Sequence, residues 1–252
     1  MLVGLVKAEL RKYLLEIKNY YPDQIVDLII KYILFIVFFF GFYKNGSNSG
    51  DFYIGYLYWM IASYIISEAS VSISFEKQVG TIEQLLLQPV PIGIILVIRT
   101  LVLFTISIIK FVILLLIIML TTNISIYVNL PLILIGLISI IGFLGIGLAL
   151  SGITMMYTKT ASFESVISYL LLLLSGTVIS YSAMPKVVMC VIEYIPFILE
   201  INLSQCIING AKVNILSMII LLLSNFIMFF IGYFIFEFFY NKVKKIGIVN
   251  KY

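Results

Sequence analysis

From residue 92 to residue 120 the chain carries two charged side chains, Arg99 and Lys110, and is otherwise built from apolar and small hydroxyl residues. About 20 such residues in helical form cross the ~30 Å hydrocarbon core of a bilayer. The pattern recurs, at about residues 25–43, 52–73, 130–156, 164–182 and 215–240. With 62% hydrophobic and 11% charged residues there is too little polar side chain to cover a water-soluble surface, so the chain is read as an all-α integral membrane protein with six spans. Aromatic residues cluster where a span meets the headgroups, as in FYIGYLYW at the start of the second.

Residues 1–24 are different. Leu2, Val6, Leu10, Tyr13, Leu14 and Ile17 recur at three and four residues, while Lys7, Arg11 and Lys18 share another side. A basic amphipathic helix of this kind lies in the headgroup plane, or packs on the protein itself. Charges mixed through its apolar positions exclude a cleavable signal. Pro22 ends it, and Asp27 and Lys31, four residues apart, can pair on one face of the first span. In the fourth span Ser139, Gly142, Gly145, Ala149 and Gly152 fall on one face and let another helix approach closely.

The main polar interruption is residues 74–91, SFEKQVGTIEQLLLQPVP. Glu76, Lys77, Gln78, Glu83, Gln84 and Gln88 are costly in hydrocarbon, so the segment lies outside it. Gly80 breaks one helix. Thr81-Ile82-Glu83-Gln84 fits a capping box, in which the Thr hydroxyl takes the amide proton of Gln84. Leu85, Leu86 and Leu87 follow, and Pro89 and Pro91 close the turn. A short rigid helix across the end of a span, with leucines and glutamates facing water, suits a partner's grip.

A second irregular stretch, about residues 183–214, is punctuated by Met184-Pro185 and Ile195-Pro196. Its apolar pieces, 187–195 and 197–208, are too short to cross and predict re-entrant half-helices. Cys190 and Cys206 lie in it, either as a disulfide between the two halves or as two buried apolar thiols. With the N-terminus inside, cytoplasmic pieces hold eleven lysines and arginines and outer pieces three, which puts both termini and the 74–91 turn in the cytoplasm.

The chemistry is narrowed mostly by exclusion. No G-x-x-x-x-G-K-[ST] is present, so the chain has no P-loop of its own for ATP. With no histidine, Ser-His hydrolysis and HExxH zinc chemistry are ruled out, and two cysteines supply at most half a zinc site. Lys110 lies eleven residues past Arg99, ~16 Å deeper at 1.5 Å per residue, and is the candidate intramembrane functional residue, with Glu68 as its suggested partner. A secondary transporter would place several such residues at mid-depth, and the shortage here favours an external energy source.

The run EKQVGTIEQLLLQPVP, residues 76–91, resembles the E-x-x-x-G-T-[LI]-E-x-L-L-x-x-P-[VI] stretch of bacterial ABC-2 type transporter permeases. Met184-Pro185 and Tyr194-Ile195-Pro196 are similar to that family's L-P…N-P region, with Ile195 where Asn is often found. The resemblance implies a single transmembrane domain over residues 1–252, the permease half of an ATP-driven exporter of the bacterial plasma membrane, itself not an enzyme. ATP and Mg would be held by a separate ABC ATPase subunit, and a second permease copy or a sibling would complete the pathway. Residues 76–91 would be the coupling helix, with Glu76, Gly80, Thr81, Glu83, Gln84, Leu86, Pro89 and Val90 at the ATPase contact. The apolar, aromatic-rich spans favour amphipathic peptides or drug-like compounds as cargo over lipid or polysaccharide. No nucleic-acid partner is implied. The competing classes are a membrane-embedded enzyme and a non-transporting receptor or immunity protein.

Overall fold

The computed structural model describes residues 2–43, 49–122, 129–157, 161–176, 192, 194–211 and 213–246. Among these the chain is helical throughout, in the order α1 (Leu2–Asn19), α2 (Tyr21–Tyr43), α3 (Ser49–Val79), α4 (Ile82–Leu86), α5 (Ile92–Thr122), α6 (Leu130–Met156), α7 (Ala161–Leu174), α8 (Pro196–Ile208) and α9 (Ile215–Ile246). Pro131 and Pro196 stand in the first turns of α6 and α8. Proline is tolerated there because the missing N–H has no intrahelical partner to lose.

Four helices are long and apolar enough to cross a membrane, over Tyr21–Gly41, Ile92–Thr122, Leu130–Met156 and Ile215–Lys245. The second and fifth expected spans differ from these. α3 has 31 residues, ample length, but it is the less apolar central helix. α7 ends at Leu174 after 14 residues, with a turn at Ser175 and Gly176. Of the irregular stretch at 183–214, only residue 192 and the part leading into and through α8 are described. It gives one short apolar helix, starting at Pro196, while Met184, Pro185 and Cys190 lie outside the described residues.

The distribution of polarity is that of a protein whose solvent is lipid. Ile29, Ile33, Val37 and Phe40 of α2, Ile109, Val112 and Leu116 of α5, and Ile219, Leu223, Ile227 and Phe234 of α9 are exposed. Ser63, Ser70, Thr100, Ser107, Ser139, Ser151, Thr154, Ser204 and Asn225 are buried. Hydrocarbon offers nothing to a hydroxyl, so these groups turn inward and bond to carbonyls or to each other. Ser107 donates to the Leu103 carbonyl at 2.9 Å and Ser139 to that of Ile135 at 2.8 Å.

Because α3 sits at the centre, its side chains face protein rather than lipid, which explains its lower hydropathy. It bonds outward in several directions. The Tyr56 hydroxyl donates to the Lys31 carbonyl of α2 at 2.5 Å, and the Trp59 indole to the Ser168 carbonyl of α7 at 2.7 Å. Ser151 of α6 donates to the Ala69 carbonyl at 3.1 Å, and Ser70 bonds Thr154 of α6. Phe35, Tyr56, Trp59, Met60 and Ile118 belong to the main apolar core around it.

The small-residue face of α6 does what its spacing predicts. A Cβ on Gly145 would stand 2.6 Å from the Met228 carbonyl oxygen, and one on Gly152 2.8 Å from the Phe236 Cα. On α9, a Cβ at Gly232 would stand 2.0 Å from the Gly145 carbonyl oxygen. The two backbones therefore touch, and dispersion and backbone packing hold them where no hydrophobic effect operates.

Candidate functional site

The 74–91 turn is built as a stiff object, and the reasons are local. Gly80 has φ +77, the left-handed region. Its N–H donates to the Lys77 carbonyl at 3.2 Å, and that of Thr81 to the Glu76 carbonyl at 2.9 Å. This is the pair of bonds that closes a helix in a Schellman motif, with Gly80 just past the cap. One residue later α4 begins, and its Leu85 N–H reaches the Thr81 carbonyl at 3.1 Å. Ile82 is buried against Ile73, Ile92, Leu96, Met155, Phe236 and Val243, so α4 is plugged into the end of the bundle. Lys77 is also buried and donates to the Met155 carbonyl at 3.0 Å, occupying an end carbonyl of α6 and placing a positive charge at that helix's negative pole.

Beneath the turn lies an ion network. The Arg99 guanidinium of α5 holds Glu9 of α1 with two bonds, Nε to Oε2 at 3.1 Å and Nη2 to Oε1 at 3.0 Å. Its Nη2 also donates to Glu76 Oε1 at 3.2 Å, and Lys12 Nζ donates to the same oxygen at 2.6 Å. The Thr81 hydroxyl donates to the other Glu76 oxygen. Two carboxylates and two cations balance, and the bidentate arginine fixes direction as well as charge. Burial pushes the Glu76 carboxyl up, but the hydrogen bonds from Lys12 and Thr81 and the charges of Lys12 and Arg99 outweigh it. They hold Glu76 below the ordinary carboxylate range.

The network ties three elements together and revises the reading of α1. Leu5, Glu9, Tyr13 and Ile17 form the partly buried seam that faces the protein, while Leu2, Val6, Leu10 and Leu14 stay exposed. The helix thus packs on the bundle through one face and leaves a second, apolar row exposed, flanked by Lys7, Arg11 and Lys18.

The expected contact residues separate into two groups. Gly80, Gln84 and Pro89 are exposed and Val90 is partly buried, as are neighbouring Leu85 and Thr81. Val79 and Leu87 are exposed, Leu87 at 84%. Glu83 and Leu86 lie on α4, with side chains outside the described structure. Glu76 differs from expectation, since its side chain is only 8% exposed and its oxygens face Lys12, Arg99 and Thr81. It anchors the turn from below. The capping box also differs from expectation: Thr81 donates its hydroxyl proton back to the Glu76 carboxylate, a charge-assisted bond.

Deeper in the bundle, Lys110 is buried and its ammonium stands 4.9 Å from the ring centre of Tyr64, while Lys31 approaches the same ring to 3.0 Å. The ring's negative face accepts cations from α2 and α5. Lys31 also pairs with Asp27 at 3.5 Å, as their spacing predicts. Glu68 is on α3, its side chain outside the described structure. Cys206 is exposed on α8, which does not fit a buried thiol, and the Cys190–Cys206 pairing falls outside the described residues.

Sequence reasoning passed over Glu9, Lys12 and Arg99 as a group, because they are far apart in the chain. It also passed over Glu200, which is 1% exposed on α8. Its signal was present: a lone carboxylate inside an apolar stretch.

A family model described as ABC-2 type transporter matches residues 5–215. The chain belongs to the ABC-2 type transporter family. It is a multi-pass membrane permease of that class, a transport subunit. A comparison with curated proteins returns no match.

Proposed function

We propose that this chain is the membrane half of an ATP-driven exporter, paired with a second copy or a sibling and powered by a separate ABC ATPase that carries the ATP and Mg. The ATPase would seat on the 76–91 turn, and both termini would lie with it on the cytoplasmic side of a bacterial plasma membrane. One observation carries this reading. The turn is exposed at Gln84, Leu87 and Gln88, yet it is fixed to the bundle by Gly80, Ile82 and the Glu76–Arg99 network. A part that receives a push must be accessible at its tip and rigid at its base. Closure of two ATPases would drive the two turns together, and α1, α3 and α5 would follow because Arg99 binds them into one body. Wide apolar faces and the absence of any soluble outer domain in the described residues support an amphipathic or hydrophobic cargo, a peptide or a drug-like compound.

The test is co-purification with the ATPase subunit. Leu87→Arg and Glu83→Arg are expected to weaken assembly about ten-fold or more, the loss of a single interface anchor. Assembly and stimulated ATP hydrolysis that survive both substitutions would remove the turn from the contact.

A further inference from the structure

Near the start of α3 and of α6, at the end of the bundle away from the 74–91 turn, α3, α5, α6 and α8 surround a cavity of about 230 Å³. Several helices turn one face to it. Phe111 and Leu115 are four residues apart on α5, as are Leu132 and Gly136 on α6 and Ser204 and Ile208 on α8. Three aromatic rings line the space, those of Tyr53, Tyr58 and Phe111. The wall is otherwise almost wholly apolar, and the Tyr58 and Ser204 hydroxyls, both in the lining, bond each other at 3.0 Å. Ile133 is a lining residue and is also 48% exposed, which puts one rim of the cavity at the outer surface of the bundle.

Such a space does not suit water. A buried water needs two to four polar partners, and this lining gathers its hydroxyls at one place. Left empty, the cavity would cost its walls their dispersion contacts. An apolar cavity of about 150 Å³ takes up benzene, so one ring fits here with room for a short chain. The volume falls below the ~300–1,000 Å³ typical of sites for whole drug-sized molecules. Rings in the wall favour a ring as the occupant, in stacked or edge-on contact. The hydroxyl pair adds a direction. Whichever of the two donates, their mutual bond leaves lone pairs on both oxygens. A neutral O–H can donate there, whereas two neutral hydroxyls do little to offset the burial of a full charge.

We propose that this cavity is a binding site for a compact, uncharged aromatic alcohol of the alkylphenol type. The ring and its short chain lie among Leu57, Phe111, Leu115 and Leu132, and the phenol O–H donates to the Tyr58–Ser204 pair. A larger cargo would present a single phenol-like group here. Calling the occupant cargo rests on the exporter reading above; the binding itself does not.

The experiment uses the full chain in lipid nanodiscs without any ATPase, with empty nanodiscs as the partition control. The probes are 4-propylphenol and propylbenzene, titrated by calorimetry at neutral pH, where a phenol keeps its proton. Saturable binding of 4-propylphenol is expected, about five-fold tighter than propylbenzene, the net value of one neutral hydrogen bond. The double variant Tyr58→Phe/Ser204→Ala should bind the two probes alike. Gly136→Leu should abolish binding of both, since a Cβ at Gly136 meets nothing within 4 Å and a side chain can occupy the space. Ile208→Trp should do the same from α8, so the test does not depend on one filled variant folding; each is read only where its melting temperature matches that of the unmodified chain. Uptake no greater than by empty nanodiscs, the result if lipid chain ends hold the space, would overturn the proposal. So would equal binding of the two probes by the unmodified chain, a phenol preference that persists in the double variant, or binding undiminished in a folded, filled variant. Failure here leaves ATP-driven transport untouched, whereas intact phenol binding with no ATP-dependent flux would contradict the exporter reading alone.

Discussion

At the residue scale the molecule turns on Arg99 and Glu76. Arg99 is a buried cation shared by two carboxylates on different helices. Arg99→Met would leave Glu9 without its bidentate partner and Glu76 with Lys12 alone, and Lys12 is 46% exposed. Breaking a buried pair from one side costs about 3 kcal/mol or more, far above the value of a surface pair. A large drop in thermal stability in detergent, with α1 newly open to proteolysis, is the expected result. Glu76 gives a pH signature. Its carboxyl is held below its ordinary value in the folded chain, so its contribution is fully present above the ordinary carboxylate range. That contribution is lost as pH falls through the folded-state value. The stability gap between the unmodified chain and Glu76→Gln should therefore be widest at neutral pH and close in acid, measured as melting temperature against pH.

At the scale of elements, the α6–α9 pair and the α3–α4 turn show what the sequence made legible. Steps of three and four small residues announced a close helix contact, and the structure places α9 backbone against Gly145 and Gly152. Gly232→Ala should destabilise by about 1–3 kcal/mol, since overpacking forces two backbones apart. Gly136→Ala, with open space at its Cβ, should be close to neutral. Thermal melting of the two variants side by side checks both. The turn was equally readable, because Gly80 and the flanking polar residues act through neighbours in the chain. What sequence could not supply was the base of the turn. Glu76 finds Lys12 at a separation of 64 residues, and Arg99 finds Glu9 at 90. No local pattern encodes such pairings, and so Glu76 was expected at the ATPase contact. The lower hydropathy of α3 has the same long-range origin, because its tyrosines and serines meet other helices and not lipid. Glu200 and Asn225 were visible as polar residues in apolar stretches, but only the fold brings them together.

Taken whole, the permease would work as a lever with an anchored base. The exposed tip at Leu87 would engage the ATPase, and the Arg99 network would carry its movement into α1, α3 and α5. Tip and base then fail differently, which gives a direct test. The permease is reconstituted in nanodiscs with its ATPase subunit, and both assembly and permease-stimulated ATP hydrolysis are measured for the unmodified chain, Leu87→Arg and Arg99→Met. Leu87→Arg should lose assembly, and stimulation with it. Arg99→Met should still assemble but lose most of its stimulation, because the partner is bound to a turn that has lost its ion-pair tie to α5. Full stimulation by Arg99→Met would contradict the lever, and full stimulation by Leu87→Arg would contradict the docking site itself.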